Sequence, residues 1–374
     1  MVEIQVRTGG WEYPVIIGRS LYENRLPAVL DGLAPPAVAV VSHDSIMKLH
    51  GMRLHEALSS CAVKGMTVIE YLFPEGEENK NLKTVEKGYG ELLAAGFNRE
   101  GAIIAFGGGV VGDLAGYMAA TFMRGTRLLQ LPTTLMSMVD SSIGGKVGVD
   151  LPEAKNAVGA FYQPLAVLSD IAVLETLPER ELRSGLVEVV KYGFLYEEKL
   201  LQEIGTWKGG VPPGGGDDMS GVIAVCAGCK AEVVAEDERD VTGKRAVLNY
   251  GHTFGHALEA ATGYSRLRHG EAVGIGMMMA ARLSELSGFA QSALTGRHRE
   301  VLGPILKDVR VPEELDTKHI VRQMRSDKKR GHVTRFVLLE KPQVPRVVDS
   351  PGESMVIQAV EEVLREWKGG RRCR

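Results

Sequence analysis

The stretch Ala102-Ile103-Ile104-Ala105-Phe106-Gly107-Gly108-Gly109-Val110-Val111-Gly112-Asp113 passes from an apolar run through a glycine turn into a helical pattern that continues to Ala120. A short continuous apolar run bounded by turn residues reads as a strand buried on both faces. Working outward, Ala37-Val38-Ala39-Val40-Val41 is a second such run, followed by Ser42-His43-Asp44 and a helical pattern from Ser45. Leu128-Leu129-Gln130-Leu131 is a third. Strands alternating with helices predict a parallel sheet joined by crossovers. Beyond Leu177 the pattern changes to long amphipathic helices, and only Arg335-Phe336-Val337-Leu338-Leu339 reads clearly as extended. Pro178 marks the change. The expected architecture is an α/β, Rossmann-like domain over residues 1–177 followed by a mainly α-helical domain over 178–374. The Gly/Pro-rich segment from Lys208 to Asp217 reads as a loop inside the second domain, and no internal repeat is visible.

Composition narrows the class. The 374 residues are 44% hydrophobic and 24% charged, enough for two buried cores and ordinary for a soluble globular protein. A net charge of −3 implies neither a nucleic-acid partner nor an acidic membrane surface. Met1 to Gly10 has no basic flank followed by an apolar run, and no apolar run is long enough to span a bilayer. A cytoplasmic protein is expected. Four cysteines are too few for a disulfide framework. Cys226 and Cys229 form a C-x-x-C pair, but they lie in a run from Val222 to Val234 that reads as helix, so they are taken as small helix residues.

Three clusters carry chemistry. The glycine turn at 107–112 lets the backbone approach a phosphate, and the helix that follows offers free N–H groups and a positive dipole end. Its strand begins only at residue 102, so the turn is not the first βα unit of an ordinary dinucleotide fold. The run Leu131-Pro132-Thr133-Thr134-Leu135-Met136-Ser137-Met138-Val139-Asp140-Ser141-Ser142-Ile143-Gly144-Gly145-Lys146 follows another strand and offers hydroxyls, a carboxylate and a lysine to ribose and phosphate. Helix capping is the plainer reading of Thr133 and Thr134. Glu188 and Lys191 stand three apart on a helix rich in valine and leucine, which puts a buried ion pair or a metal ligand on one face. His252, His256 and His269 concentrate imidazoles within a glycine-rich stretch. With Glu188 they suit a Glu-His-His zinc site with an open position. His252 and His256 are one turn apart without the glutamate of a protease motif at residue 253, and spacing leaves open which histidines are ligands. Lys146, Lys155, Lys191, Lys230, Arg245 and the pair Lys328-Lys329 sit within or beside these motifs and suit an anionic substrate.

Taken in order from about Pro74 to Leu339, these motifs, with Lys155-Asn156, Glu188 to Gly193, Leu248 to Glu259 and His269-Gly270-Glu271-Ala272-Val273, closely resemble the 3-dehydroquinate synthase family. The resemblance implies NAD and a zinc or cobalt ion, with the active site in a cleft between the two domains. It also implies a homodimer acting on 3-deoxy-D-arabino-heptulosonate 7-phosphate (DAHP). The product would be 3-dehydroquinate, formed by transient oxidation, loss of inorganic phosphate, reduction, ring opening and aldol closure. Carried over residue by residue, Glu188, His252 and His269 are the expected metal ligands. Glu75, Gly76, Glu77, Glu78, Asn79, Lys80, Gly108, Gly109, Val110, Val111, Gly112, Asp113, Thr133, Thr134, Asp140, Lys146, Lys155, Val173, Leu174, Glu175 and Thr176 fall where the family contacts NAD, with Asp44 on the adenine ribose. Asp140, Lys146, Asn156, Lys191, Lys230, Arg245 and Asn249 resemble substrate positions, and His256 a phosphate- or proton-handling one. Arg124, from the neighbouring subunit, and Lys328 or Lys329 would hold the phosphate. The alternative is an aminodehydroquinate synthase or another sugar-phosphate cyclase.

Overall fold

The computed structural model describes residues 1–63, 65–212, 219–264, 266–328, 334–349 and 351–368. It divides into two compact units, Met1–Pro178 with Gly214–Arg239, and Glu179–Pro213 with Asp240–Arg374.

The first unit is built on seven strands: β1 (Val2–Arg7), β2 (Glu12–Gly18), β3 (Ala37–Ser42), β4 (Thr67–Leu72), β5 (Ala102–Gly107), β6 (Arg127–Pro132) and, after the hairpin β7 (Lys146–Leu151) and β8 (Ala154–Phe161), β9 (Ala166–Asp170). The sheet order is β1-β2-β9-β6-β5-β3-β4, parallel except where β1 meets β2. Every residue of β3 and β5 is buried, which is why both were legible as unbroken apolar runs. The order reverses between β3 and β5: the chain passes from β3 outward to β4, then returns to the other side of β3. In open α/β sheets, ligands bind beyond the carboxyl ends of the strands at such a reversal. The glycine turn leaves β5 there, and Ser42 Oγ donates to the Phe106 carbonyl across it at 2.7 Å. The helices of this unit are α1 (Leu21–Asn24), α2 (Leu26–Leu33), α3 (Asp44–Ser59), α4 (Leu82–Ala94) and α5 (Gly109–Thr121).

The second unit begins with α6 (Glu179–Leu195) and α7 (Glu198–Gly205). The next helix, α8 (Met219–Glu236), belongs to the first unit, where it packs on β1 and β2. A division into 1–177 and 178–374 therefore misplaces this helix, and the first boundary itself falls after Pro178. The β1–β2 pair needs an apolar cover, which Val222, Ile223 and Cys226 of α8 help to provide, all of them buried. Cys226 is buried and Cys229 half-buried on this helix. The second unit continues with α9 (His252–Ala261), α10 (His269–Leu286), α11 (Leu294–Ile305), α12 (Thr317–Lys328), the antiparallel hairpin β10 (Arg335–Lys341) and β11 (Val344–Asp349), and α13 (Glu353–Trp367).

Helix α10 is the hub, in contact with α6, α9, α11, α13 and β10. It is buried without a break from Gly270 to Ala281, as a helix packed on several sides must be. Two glycines set how closely its neighbours approach. A Cβ on Gly270 would run into the backbone of Ser184 on α6, and one on Gly276 would lie 2.8 Å from Gly255 N and closer to the Gly251 carbonyl. Both crossings therefore bring backbone against backbone. Among the described residues no helix is long and apolar enough to cross a membrane.

Candidate active site

In the second unit, α6 is buried from Leu182 to Leu195, and this run includes three charged residues, Arg183, Glu188 and Lys191, the last two each 1% exposed. Lys191 Nζ pairs with Glu188 Oε2. Glu188 Oε1 faces His252 Nε2 at 3.7 Å and His269 Nε2 at 3.9 Å. The ligand atoms of Glu188, His252 and His269 all lie within 4.8 Å of one another. The far side of each ring is engaged: His252 Nδ1 is 3.3 Å from the Tyr250 carbonyl oxygen, and His269 Nδ1 is 3.4 Å from Glu259 Oε2. A histidine held at Nδ1 by an oxygen acceptor presents a lone pair at Nε2, as metal-binding histidines do. Burial opposes charge on His269, but Glu259 and then Glu188 outweigh it and raise its pKa above the ordinary value.

These residues fit a divalent ion. Lys191 answers Glu188 Oε2, but Oε1 is buried without a hydrogen bond and faces two imidazole nitrogens, an unfavourable arrangement for a carboxylate oxygen unless a cation completes it. One carboxylate and two imidazoles are a donor set that zinc or cobalt accepts, with room left in the coordination shell.

His256 is exposed, and its ring centroid lies 5.5 Å from that of His252 and 5.9 Å from that of His269. It groups with Glu259 and His269 rather than with Glu188. Arg245 and Asn249 share the 3₁₀ turn Arg245–Asn249 that leads to Tyr250, Arg245 buried and Asn249 exposed. Lys328 closes α12; its side chain and the whole of Lys329 lie outside the described residues.

In the first unit, Gly108 caps α5 with extended backbone and no side-chain hydrogen bond. Thr134 Oγ1 accepts from Ser137 N at 3.2 Å, so the plainer capping reading holds for that hydroxyl. Asp140 lies on a π-helical turn, Ser137–Ser141, a distortion found often at functional sites. Lys230 Nζ, from α8, donates to its carbonyl at 2.6 Å and to its Oδ1 at 2.7 Å.

Lys80 organises the segment before α4. Its ammonium, 3% exposed by residue, donates to Asn156 Oδ1 at 2.7 Å and Asp113 Oδ2 at 3.2 Å, and lies 3.1 Å from Glu77 Oε1. Burial works against this charge, yet Asp113, Glu77 and Asp150 outweigh it and raise the pKa. Lys155 Nζ is 3.6 Å from the same Glu77 oxygen. Asn156 takes a left-handed φ of 52° while its N–H donates to Asp150 Oδ1 at 2.6 Å. Glu75 and Asn79 are tied by a bond from Asn79 Nδ2 to the Glu75 carbonyl, and Gly76, at φ 106°, leads into the 3₁₀ turn Glu77–Asn79, which includes Glu78. Val110 and Val111 lie in the first turn of α5, close to the Gly109 and Gly112 that the phosphate reading needs. Thr133 is buried, and Lys146 is exposed at the start of β7. Val173 and Leu174 are buried in the 3₁₀ helix Ile171–Thr176, with Thr176 Oγ1 2.8 Å from His50 Nε2 and Glu175 paired with Arg19 at 2.7 Å. Asp44 starts α3, pairs with Lys48, and lines a groove of about 840 Å³ along α3 and β4. Arg124 is exposed on a turn where it and Met123 both have positive φ, at 66° and 47°.

Residues 70–184 match the family model for the N-terminal part of 3-dehydroquinate synthase, and residues 185–330 that for the C-terminal part. The chain belongs to the 3-dehydroquinate synthase family. A family relative, the 3-dehydroquinate synthase of Pelobacter propionicus, is 40% identical over 85% of this chain and 91% of its own. Two solved structures share the fold at 24% identity, each with a TM-score of 0.84 over 96% of this chain and 99% of theirs. One is 2-deoxy-scyllo-inosose synthase complexed with carbaglucose-6-phosphate, NAD+ and Co2+; the other is 2-epi-5-epi-valiolone synthase from Streptomyces hygroscopicus subsp. jinggangensis with NAD+ and Zn2+ bound.

In this member of the 3-dehydroquinate synthase family, reading the sequence passed over Glu259, Tyr250, Asp150 and His298. Glu259 had a signal: it stands seven residues after His252 and three after His256, on their side of one helix. Asp113 brings a test. Burial pushes its carboxyl up to about 6, against the pull of Lys80. The folded chain thus holds this proton more tightly than the unfolded one. The stabilisation is complete below about pH 4 and is lost as pH rises through about 6, at most about 3 kcal/mol. Asp113→Asn stays neutral throughout, so in urea unfolding its advantage over the parent should open across that window. A difference independent of pH would show that Asp113 does not titrate there.

Proposed function

We propose that this chain catalyses the 3-dehydroquinate synthase reaction, converting DAHP to 3-dehydroquinate and inorganic phosphate as an NAD- and metal-dependent carbon–oxygen lyase. The observation that carries it is the convergence of Glu188, His252 and His269 on one point beside the buried Lys191, in a chain of this family. Glu188, His252 and His269 would hold the divalent ion. NAD would be held by the segment Glu75 to Lys80, by Gly108 to Asp113 with Thr133 and Thr134, by Lys146 and Lys155, by Val173 to Thr176, and by Asp44 at the ribose. When bound, NAD supplies a reversible hydride acceptor, and the metal polarises the hydroxyl that is oxidised.

The chain's own groups supply position and charge. Lys191 is fixed by its ion pair and would bring its positive charge to a substrate oxygen. Asn156 is set by Lys80 and Asp150, so its amide is oriented before substrate arrives. Asp140 and Lys230 hold each other on the π turn, with Arg245 and Asn249 as further polar contacts for a hydroxylated carboxylate. His256, exposed, is placed to exchange a proton with phosphate or solvent. Arg124 and Lys328 or Lys329 would pair with phosphate. The strain at Arg124 accords with a side chain presented outward to a second subunit, and the same reading makes the enzyme a cytoplasmic homodimer.

Metal-loaded protein with DAHP and catalytic NAD should release phosphate and dehydroquinate in equal amounts, without net NADH, and a chelator should stop both. Turnover of an aminated or neutral sugar phosphate in place of DAHP would move the substrate assignment. NADH accumulating with a polyol would overturn the cyclase reading.

A further inference from the structure

His298 is fully buried on α11, its ring stacked on Phe194 with centroids 3.6 Å apart and planes 9° apart. Its Nδ1 lies 2.9 Å from the Leu294 carbonyl oxygen and its Nε2 2.7 Å from the Tyr250 hydroxyl. A carbonyl can only accept, so the proton sits on Nδ1 and Nε2 carries a lone pair. Tyr250, also fully buried, therefore donates its hydroxyl proton to His298. Burial keeps this imidazole neutral, with its pKa pushed down to about 3.

The other end of Tyr250 faces the candidate metal centre. Its carbonyl oxygen is the acceptor 3.3 Å from His252 Nδ1. By the same reasoning the His252 proton is on Nδ1, leaving Nε2 to face Glu188. Gly251 follows at φ 80°, so the peptide that carries this carbonyl joins a residue with little torsional resistance of its own. What restrains it on the other side is the Tyr250 ring, clamped by its bond to His298.

We propose that Tyr250 and His298 are positioning residues: their hydrogen bond orients the Tyr250 carbonyl, which fixes His252 with Nε2 toward Glu188 and so sets the affinity for the divalent ion. This rests on the metal-centre reading above. A buried pair that touches neither substrate nor cofactor would thus act on the ion through one backbone oxygen.

The full-length apo protein is titrated with Co2+, followed by visible absorption, and with Zn2+ against a chromophoric chelator. Tyr250→Phe keeps the ring and removes the hydroxyl. It should bind Co2+ about 10- to 100-fold more weakly than the parent, with a changed absorption band, as loss of a ligand's outer support does elsewhere. His298→Leu removes the acceptor and should shift both readouts in the same direction, which keeps the test open if one variant misfolds. Leu302→Ala loosens α11 one turn on, where Leu302 is fully buried, without touching the chain of bonds. It should lower the melting temperature and leave Co2+ affinity and spectrum unchanged. Parent-like affinity and spectrum in Tyr250→Phe would overturn the proposal while leaving the metal centre standing. So would a Leu302→Ala variant that loses Co2+ as fully as Tyr250→Phe. If the parent itself takes up no Co2+, the metal-centre reading falls and the inference with it.

Discussion

Glu188→Gln should lose its bound metal and about 10³-fold in kcat, the equivalent of the several kcal/mol that a metal contributes to charge stabilisation. The substitution is nearly isosteric, so it removes charge and ligation rather than volume. It also strikes the fold. Lys191 is 1% exposed and its ammonium pairs with the Glu188 carboxylate, so the variant leaves a buried charge without this compensation. Breaking one side of a buried pair costs about 3–5 kcal/mol, unless the lysine gives up its proton. The prediction is thus double: metal content and phosphate release fall together, and the chelator-treated variant unfolds at lower urea than the chelator-treated parent. The second comparison matters because metal loss alone cannot explain it. Stoichiometric metal in Glu188→Gln, or parent-like turnover, would remove this residue from the ligand set.

Gly270→Ala should be among the most damaging single-methyl additions in the second unit. The added carbon would lie 2.7 Å from both Cα and C of Ser184 and inside contact with its carbonyl oxygen. These are backbone atoms, so no rotamer change relieves the clash, and α6 or α10 must move. Such overpacking costs about 1–3 kcal/mol, at the upper end where backbone must shift. The displacement also reaches the chemistry. Ser184 is about one turn before Glu188 on α6, and His269 immediately precedes Gly270 on α10. Separation of these helices lengthens the 3.9 Å from His269 Nε2 to Glu188 Oε1. Metal affinity should fall along with the melting temperature. Gly274→Ala is the matched control, because its Cβ would meet the flexible end of Leu306 at 2.8 Å and the Val187 side chain at 3.3 Å. It should cost less stability and spare metal binding. If Gly270→Ala binds metal as the parent does, the close seating of α10 on α6 is not what holds His269 in place.

Much of the fold was legible because burial leaves a mark on composition. Strands β3, β5 and β6 are covered on both faces and read as unbroken apolar runs, and the glycine turn after β5 announced a helix N-terminus. The β7–β8 hairpin escaped, since β8 is largely exposed and its polar, alanine and glycine residues blur the period-two signal. The place of α8 escaped too. Its apolar residues were plain, but which surface they cover depends on where β1 and β2 leave the sheet uncovered.

The candidate site divides in the same way. Residue types and their neighbours along the chain singled out Glu188, Lys191 and three histidines, because a carboxylate, an ammonium and clustered imidazoles are rare in apolar helices. Family resemblance then proposed which histidines are ligands, where spacing left the matter open: His252 and His256, one turn apart, can both meet an ion. In the structure, His252 and His269 turn Nε2 to Glu188 because α9 crosses α10 at Gly251 and Gly276, and α10 crosses α6 at Gly270. Lys80 was one lysine in an acidic segment until folding brought Asp113, Asp150 and Asn156 to it from remote parts of the chain. The sequence by itself therefore determined the strands, the helices and the stock of reactive groups, which depend on local pattern and burial. Only tertiary structure decided ring orientation, tautomer and the partners of buried charge, because those depend on where one backbone can approach another.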